Sequence, residues 1–400
     1  MLAGHDLVYF APSKWDGLWR NRQQLMSVFA RQNKVLFIER RLHLWSTLAG
    51  SRRHDLGLSD LCRSSLRQVS ENLFVFRYPI WAPVIGRFPF NWLASMVRRL
   101  YIRNALYRLH MFQPIVWFSH PSMVDLIHEI PSASLLLYHV VDEYTTYRSE
   151  SMLASRHRME KQEEQIMAQV DAVIVVSEKL YEAKRPFNPH TVLVPNGVDY
   201  QAYADALADP HLPDDLRAIA CPRLGYIGLI GDRLDFTMLK ELAQENPGWS
   251  LVLLGEVMVS RQAETWRALC ALPNVHHLGP VDVSQVPHYV KGFQVGLMPY
   301  LQNRHAEHVS PLKLYDYLAA GLPVASVDIP AAREFSQYIQ LADSPQRFSQ
   351  AVRAALADTA PERCQARRKI AAQHTWEVRG EQLSEVIQAQ LAAKALGRGM

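Results

Sequence analysis

Long apolar runs are missing from this sequence of 400 residues. No stretch reaches the roughly 18 uninterrupted apolar residues that a membrane-spanning helix needs. The opening residues, MLAGHDLVYFAP, lack the basic segment, apolar core and small-residue cleavage site of a secretory signal, and they are typical of a first β-strand. These absences predict a protein that stays in the cytoplasm.

Cysteine is scarce and scattered. The four cysteines form no CxxC pair and have no metal-ligand spacing, so we expect reduced thiols and no disulfide framework; they are Cys62, Cys221, Cys270 and Cys364. An Asp-x-Asp triad is absent, and no His/Cys/Glu cluster has ligand spacing. The sequence therefore predicts no metal site and no other cofactor.

Two common nucleotide-binding motifs are also missing. The dinucleotide fingerprint GxGxxG needs three glycines, and the segment Tyr226–Gly231 offers only two of them. The P-loop pattern GxxxxGK[ST] does not occur anywhere in the chain. Both absences argue against a nicotinamide-dependent enzyme or a P-loop nucleotidase.

Composition and charge are those of a soluble protein with an uneven surface. Hydrophobic residues make up 48% of the chain and charged residues 20%, and the length suits two domains. Residues 1–110 carry 17 Lys and Arg against 6 Asp and Glu, a balance of +11, whereas the whole chain is only +4. This asymmetry indicates an anionic partner for the N-terminal part: nucleic acid, lipid headgroups or a phosphorylated acceptor. Because no nucleic-acid-binding motif is present, we expect no nucleic-acid partner.

Short apolar runs alternate with helical patterns along the chain, as in doubly wound α/β layers. The connector around residue 210 is rich in Pro and Asp. It predicts one Rossmann-like domain over 1–205, a second over 206–375 and a C-terminal helix over 376–400 that packs back on the first domain. The predicted strands are DLVYFAP, KVLFIER, LFVFRYP, PIVWFSHP, SLLLYHVVDEY, DAVIVVS and TVLVPNGVD, then RLGYIG, SLVLLGEV, VHHLGPV, VGLMPY and PVASVDI.

The most informative stretch covers residues 308–324. Ser310 and Pro311 suit the start of a helix, as cap and first helical residue, and Gly321 suits its end. The helix N-terminus presents free backbone donors, which favour a diphosphate. Lys313 would add a charge there and Asp316 would reach ribose hydroxyls, although a plain amphipathic helix with a solvent-exposed lysine is the alternative.

This stretch resembles the donor-binding helix of glycosyltransferase family 4. Further motifs follow in the order of a bacterial subgroup that includes the teichuronic acid biosynthesis transferases: Trp15–Gln24, Tyr138–Glu143, Pro195–Asp199 and Gly225–Gly228 with Asp235. The resemblance implies the GT-B fold, an α/β architecture of two Rossmann-like domains with parallel sheets facing an interdomain cleft. It also implies sugar transfer, with retention, from a nucleotide diphosphate sugar to a glycan or lipid-linked acceptor in cell-surface polysaccharide biosynthesis.

Site residues of the second domain are carried over position by position. The resemblance implies donor binding by Asp316 of the helix and by the loops after three strands: Gly228, Arg233, Gly255 and Val281, with a solvated Arg233 as the alternative. The other donor-binding candidates of the helix are Ser310, Leu312 and Lys313, at its N-terminus. Family 4 has two acids separated by seven residues, and the first would fall on His308 here. Only the second acid, Asp316, is therefore carried over.

In the first domain, polar residues follow strands whose carboxyl ends should share one edge of the sheet. The loop containing Asp16 and Gly17, with Arg22 in the next helix, is predicted to face ligand, unless the loop only packs. His120, His139 and Asp142 are the candidate catalytic groups, because a histidine can deprotonate an acceptor hydroxyl and a carboxylate can orient it. A histidine of the protein core is the alternative for His120.

The segment Phe90–Leu109 has helical spacing of apolar residues and carries four arginines, and it is flanked by Trp81 and Trp92. Such a basic amphipathic helix suits peripheral binding to an anionic membrane, on the inner face of the cell membrane, or else an ordinary crossover helix. Two other functions remain open: a nucleotide-sugar epimerase on the same fold, and a non-catalytic binding protein, which the histidine at position 308 would fit.

Overall fold

The computed structural model describes residues 1–17, 19–41, 65–79, 90–144, 153–303, 306–308 and 310–397. The chain forms two compact units: Met1–Pro195 with Arg379–Met400, and Asn196–Val378. The first boundary thus lies ten residues before the predicted 205/206, because Asn196 donates a hydrogen bond to the Ser310 carbonyl (2.8 Å) and Val198 donates to the His374 carbonyl (3.0 Å). Trp81 lies outside the described residues.

The first unit contains an eight-stranded sheet in the order β3-β4-β2-β1-β5-β6-β7-β8. All described neighbours are parallel except β3 and β4, which pair antiparallel. The strands are β1 (Asp6–Phe10), β2 (Lys34–Ile38), β3 (Leu66–Ser70), β4 (Leu73–Phe76), β5 (Ile115–Phe118), β6 (Leu135–Val140), β7 (Ala172–Val175) and β8 (Thr191–Leu193). The sequence did not predict β3, whose residues are polar and largely exposed at the sheet edge.

Helices connect these strands and cover the sheet. They are α1 (Asn21–Phe29), α2 (Phe90–Arg108), α3 (Leu153–Met167) and α4 (Glu178–Lys184), with a 3-10 helix at Pro121–Leu126. The apolar core of this unit is built mainly from the strand residues and the inner face of the helices. None of the helices in the described part of the chain is both long and apolar enough to cross a bilayer.

The second unit contains a parallel six-stranded sheet in the order β13-β11-β9-β14-β15-β16, and a separate parallel pair, β10-β12. Three of its short strands, β10, β12 and β16, were not predicted. The strands are β9 (Arg223–Ile227), β10 (Ile230–Gly231), β11 (Ser250–Leu254), β12 (Val257–Met258), β13 (Val275–Gly279), β14 (Val295–Met298), β15 (Val324–Val327) and β16 (Gln340–Ala342).

The helices of the second unit pack on both the sheet and each other. They are α5 (Tyr200–Ala208), α6 (Asp214–Arg217), α7 (Phe236–Glu245), α8 (Ala263–Cys270), α9 (Val286–Val290), α10 (Leu312–Ala319), α11 (Pro330–Arg333), α12 (Pro345–Ala357) and α13 (Pro361–Ala371), with a 3-10 helix at Val283–Gln285. The last helix, α14 (Trp376–Gly397), starts in this unit and continues into the first.

Each large sheet reverses its strand order once, and this reversal positions the candidate sites. In the first unit the chain leaves β1 for β2 on one side and later returns to β5 on the other. In the second unit the same reversal separates β9 and β14. Ligands of open α/β sheets bind beyond the carboxyl ends of the strands at such a switch point.

The C-terminal helix is fixed to the first unit by apolar and polar contacts. Leu383 and Ile387 are fully buried. The Leu2 amide donates to the Ser384 hydroxyl (2.8 Å), and Lys394 pairs with Asp171 (2.7 Å). The middle of this helix is therefore packed against the first unit.

Replacing Leu383 with alanine should lower the free energy of unfolding by about 2–5 kcal/mol, since the change leaves a cavity in a packed core. Leu396→Ala is the matched control, because that leucine lies on the same helix and is 75% exposed. Thermal unfolding of both variants measures the effect. Equal melting temperatures for Leu383→Ala and Leu396→Ala would contradict the docking of this helix.

Candidate active site

The ammonium group of Lys313 lies at the switch point of the second unit. It donates to the Tyr300 hydroxyl (2.6 Å) and lies 4.8 Å from the centre of the Tyr226 ring. Tyr226 belongs to β9, and Tyr300 follows β14, so the two central strands supply the two rings. Burial lowers the pKa of Lys313, but the two tyrosines raise it by more, so the side chain is a cation at neutral pH.

Two glycines keep the backbone beside Lys313 free of side chains. Gly228 has φ +111° and Gly255 has φ +148°, a region that favours glycine. A Cβ on Gly255 would lie 2.0 Å from the Gly228 carbonyl oxygen, so the turns after β9 and β11 are in direct contact. A Cβ on Gly228 would lie 3.7 Å from Lys313 Cε. The glycine turn therefore borders the cation.

Helix α10, which carries Lys313, begins one residue later than predicted. Pro311 is its N-cap, with extended ψ of 113°, and no side chain caps the helix. The predicted capping by Ser310 is wrong; its carbonyl instead accepts the Asn196 hydrogen bond. Leu312 is the first helical residue, and Gly321 follows the C-cap with φ +75°, which agrees with the predicted end.

Asp316 lies one turn along α10 from Lys313 and is half-buried. Tyr203 of α5 is a neighbour of its carboxyl group. Burial raises the pKa of Asp316 to about 7, although Tyr203 and the charge of Lys313 act in the opposite direction. The carboxyl group therefore changes its charge in the physiological range.

The other predicted donor residues lie in loops of the same unit. Arg233 is exposed, its carbonyl accepts from the Leu301 amide (2.9 Å), and its charge lowers the pKa of Tyr226 against burial, which raises it. Val281 lies two residues beyond β13 and packs partly against the apolar core. His308, at the position of the first family 4 acid, is half-buried in a turn before α10.

In the first unit, the loop after β1 is held by buried polar contacts. The Trp15 amide donates to Glu39 (2.8 Å), and Gln23 of α1 donates to the Trp15 carbonyl (3.2 Å). Arg22 is buried and donates to the Ser13 hydroxyl (2.9 Å). The loop is therefore a fixed element at the β1/β5 switch point, with Arg22 beneath it.

Asp16 and Gly17 lie at the exposed part of this loop. Asp16 pairs with Arg67 (2.5 Å), and both side chains are largely exposed. Gly17 does not have a positive φ, and an added Cβ would only meet the Lys14 carbonyl at 3.4 Å. The backbone conformation at position 17 therefore does not itself require glycine.

His120 and Asp142 follow neighbouring strands at this edge of the sheet. His120 caps the 3-10 helix, since its Nδ1 accepts from the Ser122 amide (3.2 Å), and its ring lies against Tyr144 at 4.8 Å. Nδ1 is thereby an acceptor, which leaves the proton on Nε2. Asp142 is half-buried and accepts from the Glu143 amide (3.0 Å). Both side chains are accessible at the carboxyl edge.

His139 does not fit the catalytic role predicted for it. Its side chain lies inside β6, 2% exposed, with its ring 5.8 Å from Trp117. Neither ring nitrogen has a hydrogen-bond partner. Burial, with a smaller contribution from Arg22, lowers the pKa of His139 to about 3. The imidazole stays neutral and enclosed, so it belongs to the core.

Three tyrosines of the site were not predicted: Tyr203, Tyr226 and Tyr300. Two of them lie at the ends of predicted strands, in RLGYIG and VGLMPY, which was the available indication. The strand order was needed to bring these ends together. Among the described residues, no group of three or more His, Cys, Asp and Glu side chains is arranged to hold a metal ion.

Known proteins share both sequence and fold with this chain. The Glycosyl transferase-like family model matches residues 236–385. TuaH of Bacillus subtilis (strain 168), by name a teichuronic acid biosynthesis glycosyltransferase, is 30% identical over 281 residues, which are 65% of this chain and 68% of that protein. This chain belongs to the GT-B glycosyltransferases.

Solved structures of other members of this fold align along nearly the whole chain. A sucrose-phosphate synthase from Thermosynechococcus elongatus aligns over 98% of this chain and all of its own, with a TM-score of 0.71 and 17% identity. HepE of Anabaena, crystallised with UDP-glucose, aligns over 96% of this chain and all of its own, with a TM-score of 0.66 and 13% identity. At identities this low, the structural similarity establishes the fold alone.

The pKa of Asp316 predicts how stability changes with pH. Its folded value of about 7 lies above the unfolded value, so the associated stability is present in acid and is lost as pH rises through about 7. Asp316→Asn should therefore gain stability over the wild type between about pH 5 and pH 8, by roughly 1–2 kcal/mol for a half-buried group. Urea unfolding at both pH values measures it. A difference that does not change with pH would contradict the raised pKa.

Proposed function

We propose that this glycosyltransferase takes a sugar from a nucleotide diphosphate sugar bound by its second unit. The observation that carries the proposal is the Lys313 cation, held by Tyr300 and Tyr226 at the switch point of the sheet. A diphosphate there would meet a full positive charge beside a glycine turn that its oxygens can approach closely. Arg233 follows β10 in the adjacent loop and would supply a second cation.

Asp316 fits the ribose of the same donor. It lies one turn from Lys313, a distance that suits a ribose next to its diphosphate, and an ionised carboxylate accepts hydrogen bonds from both ribose hydroxyls. The resemblance to family 4, whose second acid holds the ribose, supports the same assignment.

The acceptor, a glycan or lipid-linked sugar, is proposed to bind the first unit. His120 and Asp142 are accessible at the carboxyl edge and are the candidate groups for activating its hydroxyl. Transfer with retention of configuration and a role in cell-surface polysaccharide biosynthesis rest on the resemblance to family 4 and on the name of TuaH. We propose that Lys313 and Arg233 neutralise the leaving diphosphate, so that no metal ion is needed.

An epimerase of the same fold would convert the donor without an acceptor. Incubating the protein with UDP-, GDP-, ADP- and dTDP-sugars, with and without a glycan acceptor, separates the two reactions. Release of nucleotide that depends on an added acceptor and persists with chelator fits the proposed transfer. An isomerised sugar nucleotide would identify an epimerase instead.

Lys313→Ala and Asp316→Ala should each weaken donor use by tenfold or more, because one charge-assisted bond contributes about 1.5–3 kcal/mol. Lys369→Ala and Asp343→Ala are matched controls of the same charge on exposed surface of the same unit. Titration calorimetry with the donor and steady-state kinetics measure the effect. Wild-type donor affinity in both site variants would remove this helix from the donor site.

We also propose peripheral docking on an anionic membrane through α2. Its exposed apolar side chains follow helical spacing and form one stripe: Trp92, Leu93, Met96, Leu100 and Tyr107. Arg103 and Arg108 are exposed beside them. Arg98, which the sequence placed among the membrane-facing charges, is buried, and Arg99 is paired with Glu129 (3.0 Å). The docking surface is therefore apolar, with fewer free cations than predicted.

Replacing Leu93 and Leu100 together with glutamine should reduce binding to vesicles that contain phosphatidylglycerol, because both leucines are more than half exposed and would enter the interface. Arg103→Gln should weaken binding by a further several-fold, near 1 kcal/mol per cation. Phe187→Gln is the control at an exposed apolar position elsewhere in the same unit. Vesicle flotation that is unchanged in the double variant would exclude α2 as the docking element.

A further inference from the structure

Arg22 is a buried cation without an acidic partner. It is the second residue of α1 and is 7% exposed, and its Nη1 donates to the Ser13 hydroxyl (2.9 Å) in the loop after β1. Within the described part of the chain, its guanidinium group forms no ion pair and no other hydrogen bond. Arginine is rarely buried unless it is paired, because a desolvated charge is costly. The group therefore lacks an anion that the described residues do not supply.

Two other buried arginines show what a satisfied guanidinium group looks like in this chain. Arg223 is also 7% exposed, and it donates to three backbone carbonyls at 2.8 to 3.4 Å. Arg367 is 1% exposed, pairs with Asp358 and donates to further carbonyls. Arg22 has a single neutral hydroxyl in place of three carbonyls or a carboxylate.

The place of Arg22 in its helix increases the positive potential. The first turn of a helix presents free amides and the positive end of the dipole, so acidic residues are favoured there. The first turn of α1, a helix of nine residues, contains no acidic residue and carries Arg22 instead. It follows β1 at the β1/β5 switch point, where ligands of open α/β sheets bind.

The ionisable neighbours of Arg22 do not neutralise its charge. Burial raises the pKa of Tyr9 and of Tyr144, and the charge of Arg22 opposes this rise in both. Burial lowers the pKa of His139 to about 3, and Arg22 lowers it further. All three side chains are therefore uncharged at neutral pH.

The carboxylates closest in the sequence and at this edge of the sheet are engaged elsewhere. Asp16, in the same loop, pairs with Arg67 (2.5 Å). Asp142 acts on the pKa of Tyr144 and accepts from a backbone amide, but it forms no ion pair with Arg22. The nitrogens of Arg22 are not among the fully enclosed unpaired atoms of the described residues. Its remaining N–H donors are therefore within reach of a ligand.

We propose that Arg22 binds an oxyanion, a phosphate or a carboxylate, that is carried by the acceptor. Both groups present two oxygens that match the fork of a guanidinium group. The ring of His120 lies 4.8 Å from that of Tyr144, a neighbour of Arg22, so the oxyanion would bind on the same side of the sheet edge as the candidate catalytic histidine. The inference rests on the proposed function for the acceptor as the source of the oxyanion. The acceptor class is then a phosphorylated or uronic-acid-containing glycan.

A carboxylate introduced beside Arg22 tests whether an anion is missing. Ser13→Asp places one where the hydroxyl now accepts, and Ser13→Asn is the neutral control of the same size. Ser13→Asp should have the higher urea midpoint, because it supplies the partner, and should bind inorganic phosphate more weakly in calorimetry. Phosphate is titrated into full chains that also carry Lys313→Ala, so that the donor cation does not bind the probe. Equal midpoints, or equal phosphate binding, in the two variants would overturn the inference.

Removal of the charge should have the opposite effects on stability and on binding. Arg22→Met should weaken the binding of phosphate and glucuronate tenfold or more, with glucose as the uncharged control ligand. Its urea midpoint without ligand should equal or exceed that of the wild type, since an unpaired buried charge is gone. Arg223→Met is the control at equal burial: its midpoint should fall, and its anion binding should not change. A lower midpoint with unchanged anion binding in Arg22→Met would make Arg22 a structural residue and overturn the subsite.

Titration with UDP, GDP, ADP and dTDP, with Lys313 intact, separates the two sources of an oxyanion. Arg22→Met should leave nucleotide affinity unchanged, because the acceptor carries the group. Equal weakening of nucleotide and phosphate binding would assign Arg22 to the donor diphosphate and overturn the acceptor assignment. If the wild type binds none of the four nucleotides, the proposed function fails, whereas the phosphate and glucuronate results stand by themselves.

Discussion

The candidate donor site of the second unit depends on the contacts of the Lys313 ammonium group. It donates a hydrogen bond to Tyr300 and lies over the ring of Tyr226. A partly buried cation is costly unless its environment compensates, and here two tyrosines do so without neutralising its charge. The positive charge therefore stays available to a ligand. Because Tyr226 lies in β9 and Tyr300 follows β14, the two central strands fix where the cation lies.

The backbone beside Lys313 has no side chains of its own at two positions, Gly228 and Gly255. The Gly228 and Gly255 turns contact each other so closely that a side chain at position 255 has no room. The first unit repeats the strand reversal between β1 and β5, but places Arg22 and His120 there instead of a lysine–tyrosine group. One architecture thus provides two different sites, each at its own switch point.

Most strands could be predicted from the sequence, because runs such as DAVIVVS are buried on both faces of a parallel sheet. The polar edge strand β3 and the two-residue strands could not, since they bury little. Tyr226 and Tyr300 are 74 positions apart, and only the strand order brings them to Lys313. The buried states of His139 and Arg98 were missed for a similar reason: helical or strand periodicity does not tell which polar side chain the tertiary structure encloses.

The most direct test of the account compares a nucleoside diphosphate with its nucleoside in the wild type and in Tyr300→Phe. This substitution removes the hydroxyl that holds Lys313 and keeps the ring. Calorimetry with UDP or GDP and with the matching uridine or guanosine measures the phosphate contribution by difference. We predict that Tyr300→Phe weakens diphosphate binding several-fold and leaves the nucleoside unaffected. Equal weakening of both ligands, or of neither, would contradict a diphosphate site at Lys313.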